Sequence, residues 1–120
     1  MTEQEREDAG LEEALALAPD DTNIASALLE QLYNTCQWVR IEQLEPACIQ
    51  QTEGLAKKGI AVGLTPFSHI TKIDDPARNI IVAKAYAAKI KAEAVPVLPK
   101  VQRTGVRREK LSIGYLSSDL

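Results

Sequence analysis

The stretch Ala14–Thr35, "ALALAPDDTNIASALLEQLYNT", decides the fold class of this chain. Both of its halves repeat apolar residues at spacings of three and four, which is the period of one buried face of an α-helix. A proline interrupts the pattern, and the "PDDT" turn offers Asp21 or Thr22 as a side-chain cap for the helix that follows. The stretch therefore predicts two helices joined by a tight turn, one over 2–18 and one over 23–35. The residues expected on their buried faces are Leu11, Ala14, Leu15 and Ala18 in the first and Ile24, Ala27, Leu28 and Leu32 in the second.

The composition favours the same class. The chain has 120 residues, of which 45% are hydrophobic, but it holds only one Trp, one Phe and three Tyr. Such an aliphatic, alanine-rich core suits closely packed helices better than a β-sandwich. The net charge of -3 is too small to indicate a nucleic-acid or membrane-surface protein, so neither kind of partner is expected.

Two further helices follow in the pattern. One is expected over 37–58 on Trp38, Ile41, Leu44 and Cys48, with "KKG" as its end and Trp38 as the core anchor against the preceding helix. Pro46 predicts a kink there or a division into two shorter helices. After an irregular connection over 60–75, "DDPARN" predicts a helix start with Asp75 as N-cap and Pro76 in the first turn. That helix runs to about Ala92 and gathers Ile80, Ala83, Ala87 and Ile90 on one side, where small side chains let a neighbour approach closely.

The chain changes character after residue 94. Pro96 and Pro99 predict extended backbone, and the basic stretch over 100–110 is either a solvated linker or a contact for an acidic partner. The alternation in "KLSIGYL" then predicts one β-strand at 111–116. No other strand pattern is present, so this strand needs partners that the sequence does not supply, and Ile113 and Tyr115 should otherwise fold back on the helices or lie exposed.

Few residues are candidates for chemistry. Cys36 and Cys48 lie twelve apart without a second Cys or His pair, which argues against a zinc site or a redox motif. The acidic N-terminus does not resemble a signal peptide, so a cytoplasmic protein with reduced thiols is expected. His69, the only histidine, lies in "PFSHIT", well before the predicted strand, and is interpreted as a structural or linker residue. With Ser117, Ser118 and Asp119 it has the residue types of a nucleophilic triad, but no G-x-S-x-G elbow is present and a triad is not expected.

Four segments resemble one family in one order. "LSIGYLSSDL" is similar to the opening of the catalytic region of the SPINDLY-like O-linked N-acetylglucosamine transferases, and "CQWVRIEQL" looks like their "CDW" segment. "TPFSHITKIDDPARNIIVAKAYA" resembles the linker that follows, and "ALALAPDD" is typical of the end of a tetratricopeptide repeat. The resemblance covers the chain from about Ala14 to Leu120, with Gln37 in place of the family's usual Asp and Pro46 inside a helix that is usually continuous.

The resemblance implies a mainly α fold. Tetratricopeptide-like helices are expected over 1–35, a helical linker over 36–94, an extended basic linker over 95–110, and the first strand and loop of a truncated Rossmann-like, GT-B type catalytic lobe over 111–120. The implied activity is transfer of N-acetylglucosamine from UDP-N-acetylglucosamine to protein Ser or Thr, with protein partners or acceptors on the repeat surface and no cofactor or metal.

The implied site residues are few. Ser117, Ser118 and Asp119 are candidates for the substrate loop, or a loop held by short polar residues, and no catalytic residue is assigned. The family's active-site histidine follows "SSD" closely, so this chain alone is expected to be an inactive fragment, with the sugar nucleotide bound only by the full-length relative. The alternative is a stand-alone helical protein–protein interaction module whose last ten residues are a tail or add a strand to a partner's sheet.

Overall fold

The structure is a computed structural model that describes residues 2–94, 105, 110 and 113–118. The described residues form helices and loops without a β-strand, which confirms the mainly α prediction. The helices are α1 (Glu3–Leu17), α2 (Thr22–Asn34), α3 (Trp38–Lys57), α4 (Pro66–Ile70) and α5 (Pro76–Glu93).

The turn between α1 and α2 follows the predicted signal. Asp21, rather than Thr22, is the cap: its carboxylate accepts hydrogen bonds from the N–H groups of Asn23 and Ile24 at 2.9 and 3.1 Å. The buried surface of α2 is wider than the predicted stripe, because α1 packs on one side of it and α3 on the other. Leu28 and Leu32 are buried as expected, Ala25 and Leu29 are buried as well, and Ile24 and Ala27 are only partly buried.

Helix α3 runs unbroken through Pro46, so of the two predicted alternatives, a kink or a division into two helices, the division is wrong. Pro46 lies on the exposed side, where water can solvate the carbonyl that the proline cannot bond. The prediction of a buried Trp38 is also wrong. Trp38 is the first residue of the helix and is 56% exposed, and its ring makes an edge-to-face contact with Tyr33 of α2, at 6.2 Å between ring centroids.

The connection between α3 and α5 is more regular than the sequence predicts. It contains the short helix α4, in which Thr65 caps the first turn by accepting from the Ser68 N–H at 3.2 Å and a proline occupies the first position. Just before it, Gly63 adopts a φ of 86°. A Cβ at this glycine would collide with the side chains of Thr22 and Thr52. The connection is therefore a fixed corner.

Two hydrophobic clusters form the core, and α3 contributes to both. The first cluster lies between α2 and α3, and the second between α3 and α5. Between them, Thr52 is fully buried and its hydroxyl oxygen accepts from the Leu64 N–H at 3.1 Å. The first cluster holds Ala25, Leu28, Leu29, Leu32, Ile41, Cys48, Ile49 and Leu64, and the second holds Ala56, Ala61, Val82 and Ala85.

Helix α5 starts as predicted but buries the opposite face. Asp75 caps it by accepting from the N–H groups of Ala77 and Arg78 at 2.9 and 3.3 Å. Val82 and Ala85 are the residues that pack on α3. The predicted stripe is wrong as a buried face, since Ile80 is 53% exposed, Ile90 is 64% exposed, and the two alanines between them are exposed too.

The C-terminal predictions fall largely outside the described residues. The extended linker over 95–110 is described only at Gly105 and Lys110, and the first two residues of the strand over 111–116 are not described. Residues 113–117 have no regular secondary structure, and Ile113 and Tyr115 are 72% and 84% exposed, one of the two outcomes expected for an unpartnered strand. In the part of the chain that the structure describes, no helix has the length and apolar character needed to cross a membrane.

Candidate functional site

A buried histidine marks the junction of three helices. His69 on α4 has no exposed surface, and both of its ring nitrogens face an oxygen atom. Nδ1 lies 2.6 Å from Oδ1 of Asn79 on α5, and Nε2 lies 2.9 Å from Oε1 of Glu53 on α3. One side chain therefore ties α4 to both long helices of the second half of the fold.

The partners of His69 are themselves fixed. The side-chain amide of Asn79 donates to the carbonyl of Ile73 at 2.9 Å, and this bond determines that its oxygen faces the imidazole. Glu53 also accepts from Arg78, at 2.9 Å from Nε and 2.8 Å from Nη2. We call His69, Glu53, Arg78 and Asn79 the junction cluster.

The charge of Glu53 is central to the junction cluster. Burial would raise the pKa of its carboxyl, but hydrogen bonds and positive charge from Arg78 and His69 outweigh that effect and hold the pKa below its usual value. The carboxylate is therefore ionised at neutral pH. A charged acceptor makes the stronger kind of hydrogen bond, so the cluster is a tight connection between the helices.

The junction cluster has the chemistry of a structural site. Both nitrogens of His69 are engaged and the ring is closed to solvent, so it presents no face to a substrate. Every buried side-chain nitrogen or oxygen in the described residues has a hydrogen-bond partner. The same residues hold no group of three His, Cys, Asp or Glu side chains able to bind a metal ion. The interpretation of His69 as structural agrees with this geometry.

A second polar group lies nearer the start of α3, and its Glu45 borders the same shallow pocket as Glu53. The hydroxyl of Tyr33 donates to the carboxylate of Glu45, and the ammonium of Lys72 sits 4.3 Å from the centre of the Tyr33 ring. The hydrogen bond to Glu45, together with burial and the negative charge of Glu45, raises the pKa of Tyr33 to about 12. A cavity of about 140 Å³ beside it is bounded by α2, α4 and the corner before α4. These contacts hold the corner against the α2–α3 pair.

The two cysteines differ sharply in environment. Cys36 is exposed at the turn between α2 and α3, where it adopts a φ of 55°. Cys48 is fully buried, and burial raises the pKa of its thiol to about 11 in spite of a hydrogen bond from Thr52 that acts in the opposite direction. Only Cys36 is placed to react with a reagent in solution.

The two sequence-predicted site residues that the structure describes, Ser117 and Ser118, lie outside the junction cluster. Ser117 and Ser118 are exposed, whereas His69 is buried with both ring nitrogens bonded to other residues, so serine and histidine form no nucleophile–base pair. Asp119 lies outside the described residues. The partners of His69 were missed by sequence reasoning. Asn79 and Arg78 stand in the same family-like segment as His69, but no spacing connects that segment to Glu53.

Comparisons with known proteins add no relative. No model of a protein family matches the chain, and neither does any curated protein or any solved structure.

Proposed function

We propose that residues 1–120 are the connecting part of a protein O-N-acetylglucosaminyltransferase similar to the SPINDLY-like enzymes. In this proposal the helices over 1–35 end a repeat array that binds protein partners or acceptors. Residues 36–94 form a helical linker that orients the repeat array relative to the catalytic region, and residues 111–120 are the first residues of that region. The sugar would pass from UDP-N-acetylglucosamine to a protein Ser or Thr in the full-length enzyme.

The observation that carries the proposal is the position of the family-like segment in the fold. The stretch Thr65–Ala87 supplies the cap of α4, the cap of α5 and three of the four residues of the junction cluster. Residues that carry the resemblance are thus the residues that fix the corner. A connector needs such a corner, because a misplacement of about 1 Å at a reacting group can reduce a rate about a hundredfold.

The terminal segment supports the proposal in a second way. The large hydrophobic side chains of Ile113 and Tyr115 are exposed to solvent, as expected for a segment that would pair with strands of a following lobe. In an open α/β sheet the loop after a strand borders the ligand cleft. Ser117, Ser118 and Asp119 would occupy that loop, where they would contact the substrate or hold the loop by bonds to its backbone.

The first experiment concerns the 120-residue chain itself. We expect no sugar transfer when it is incubated with UDP-N-acetylglucosamine and acceptor proteins, because the helices of its described part form no lobe around a leaving nucleotide. Intact-mass spectrometry of the acceptors is the readout. A gain of one N-acetylhexosamine would contradict the inactive-connector proposal.

The second experiment reads the DNA beyond Leu120. A reading frame that continues through further strands and helices, with a His-Pro pair shortly after "SSD", supports the transferase. In the protein it encodes, Glu53→Gln should lower the rate of sugar transfer, whereas Glu42→Gln, at an exposed position of the same helix, should not. An active enzyme that is unaffected by Glu53→Gln would contradict the connector role.

A stand-alone helical interaction module is the second candidate, and one observation favours it. On the outer surface Ile70 of α4 and Ile80 of α5 border one groove and are 58% and 53% exposed, and Phe67, three residues before Ile70, is 78% exposed. Contiguous exposed apolar side chains mark interaction sites more often than scattered ones do. A stop codon directly after Leu120 would favour this candidate over the transferase.

A further inference from the structure

The outer face of α5 is apolar along its whole length. It lies opposite Val82 and Ala85, which pack on α3. Its members recur at spacings of four, three, four, three and four, so they follow one line along the helix. We call this line the outer stripe; it consists of Pro76, Ile80, Ala83, Ala87, Ile90 and Ala94, all of them exposed.

The spacings of the outer stripe are the same in both directions along the helix, and its four central residues match in type. Its two large residues, Ile80 and Ile90, stand symmetrically about residue 85, as do Ala83 and Ala87. A two-fold axis at residue 85 therefore sets each isoleucine against the other isoleucine of a second copy, and alanine against alanine. Such self-complementarity is what an isologous interface requires.

A groove beside the stripe fits this arrangement. It has a volume of about 580 Å³ and lies between α4 and the first half of α5. In an antiparallel pair, Ile90 of the second copy comes level with Ile80 and hence over the groove. A parallel pair instead sets Ile90 against Ile90, away from both grooves. The apolar lining consists of Pro66, Ile70, Ile73, Pro76, Ile80 and Ala83.

We propose that a second copy of this chain covers the outer stripe, with the two α5 helices antiparallel and Ile90 of each copy seated in the α4–α5 groove of the other. The proposal goes beyond the connector function and does not depend on it. Small side chains at the centre, Ala83 and Ala87, let the helix axes approach closely.

Size and charge set the strength of this dimer. Helix α5 is 18 residues long, which corresponds to about 27 Å, so the stripe alone falls short of the roughly 800 Å² per partner of a standard interface. Phe67 and Ile70 extend the apolar surface at each end. Lys84 flanks the stripe on the side of α5 that borders Ala56 and Gly59, and in the antiparallel pair it lies near its own symmetry mate. We therefore expect a weak dimer that tightens when salt screens the two Lys84 charges.

Sedimentation equilibrium tests the interface on the full chain. Between about 10 μM and about 1 mM, where an undersized interface dissociates, the average mass should rise from 13.1 kDa toward twice that value. Ile90→Glu should weaken association at least tenfold. Val39→Glu is the matched control, since Val39 is 70% exposed on α3 and lies outside the stripe. A wild-type chain that stays monomeric throughout, or an Ile90→Glu variant that dimerises like the wild type, would overturn the proposal.

A mixing experiment tests the direction of the pair. Position 84 lies on the same side of an antiparallel interface in both copies, about 3 Å apart along the axis, but on opposite sides of a parallel one. A mixture of wild type and Lys84→Glu, with one of the two uniformly labelled with heavy nitrogen so that the dimers differ in mass, should therefore form mixed dimer above the statistical share, as native mass spectrometry would show. A mixed dimer no more abundant than the statistical share would overturn the antiparallel arrangement.

Discussion

Glu53→Gln is the most informative change in the junction cluster, because it removes a charge and keeps the shape. The carboxylate accepts hydrogen bonds from Nε2 of His69 and Nε of Arg78, both at 2.9 Å, and forms an ion pair with Nη2 of Arg78 at 2.8 Å. A bond to a charged group contributes about 1.5–3 kcal/mol and a neutral one about 0.5–1.5 kcal/mol. Since Arg78 is 43% exposed, its share is reduced by solvent. We therefore expect Glu53→Gln to lower the free energy of unfolding by about 2 kcal/mol, or roughly 8–16 °C in Tm for a body of this size.

The dependence of this loss on pH identifies its origin. The pKa of Glu53 lies below its usual value in the folded chain, so the stability that the carboxylate provides is present above the unfolded pKa, about 4.3. It is lost as the pH falls through the lower folded pKa. The difference between wild type and Glu53→Gln should thus be full at neutral pH and shrink in acid. In the described structure the guanidinium of Arg78 and the Nε2 atom of His69 are the groups that face the carboxylate.

Urea unfolding followed by far-UV circular dichroism, at a series of pH values, measures both quantities. Glu42→Gln provides the control, because Glu42 is exposed on the same helix and should change the stability by less than about 0.5 kcal/mol. A Glu53→Gln variant as stable as the control at neutral pH would refute the reasoning. So would a loss of stability that stays constant down to acid pH.

Three further changes test the core and the corner. Thr52→Val keeps the volume but leaves the buried Leu64 N–H without its acceptor, so the free energy of unfolding should fall by about 1–3 kcal/mol in thermal melts. Thr52→Ser retains the hydroxyl and the bond, so a valine variant more stable than the serine variant would contradict this. Gly63→Ala should lower the free energy of unfolding far more than Gly59→Ala in urea titrations, because both glycines have a φ near 80° but, of the two, Gly63 alone faces neighbouring side chains. Equal losses of stability would contradict the predicted collision of a Cβ at position 63 with those side chains. In the folded chain the exposed thiol of Cys36 should react with a chromogenic disulfide, whereas Cys48 should react only after unfolding, since burial raises the pKa of its thiol to about 11. Two thiols that react equally fast would be incompatible with the fold.

Local signals in the sequence were enough for the helix starts. Asp21 and Asp75 each cap a helix because their side chains act on N–H groups two and three residues away, so the information lies within one turn. Thr65 and Pro66 form the same kind of signal before α4, but the sequence analysis predicts no helix there, because five residues are too few to show a helical period.

Orientation and partners could not be predicted in the same way. The sequence gives α5 two apolar faces, and only the packing on α3 decides that Val82 is buried and Ile80 is not. The prediction of a buried Trp38 fails because even a large side chain can face solvent when it lies in the first turn of a helix. The junction cluster depends on contacts between Glu53 and residues 16 and 25 positions later, a distance over which no helical or strand period extends.

The membership of α3 in both hydrophobic clusters has a consequence for the unfolding transition. Since Ile41, Cys48 and Ile49 serve one cluster and Ala56 the other, neither cluster survives the loss of this helix. Helices α2 and α5 are therefore coupled thermodynamically, and residues 22–93 should unfold as one cooperative unit. Helix α1 packs mainly on α2, and a partly exposed ion pair between Glu12 and Arg40 is its contact with α3. It can therefore open below that transition, which makes it the first segment in which amide hydrogens exchange with solvent.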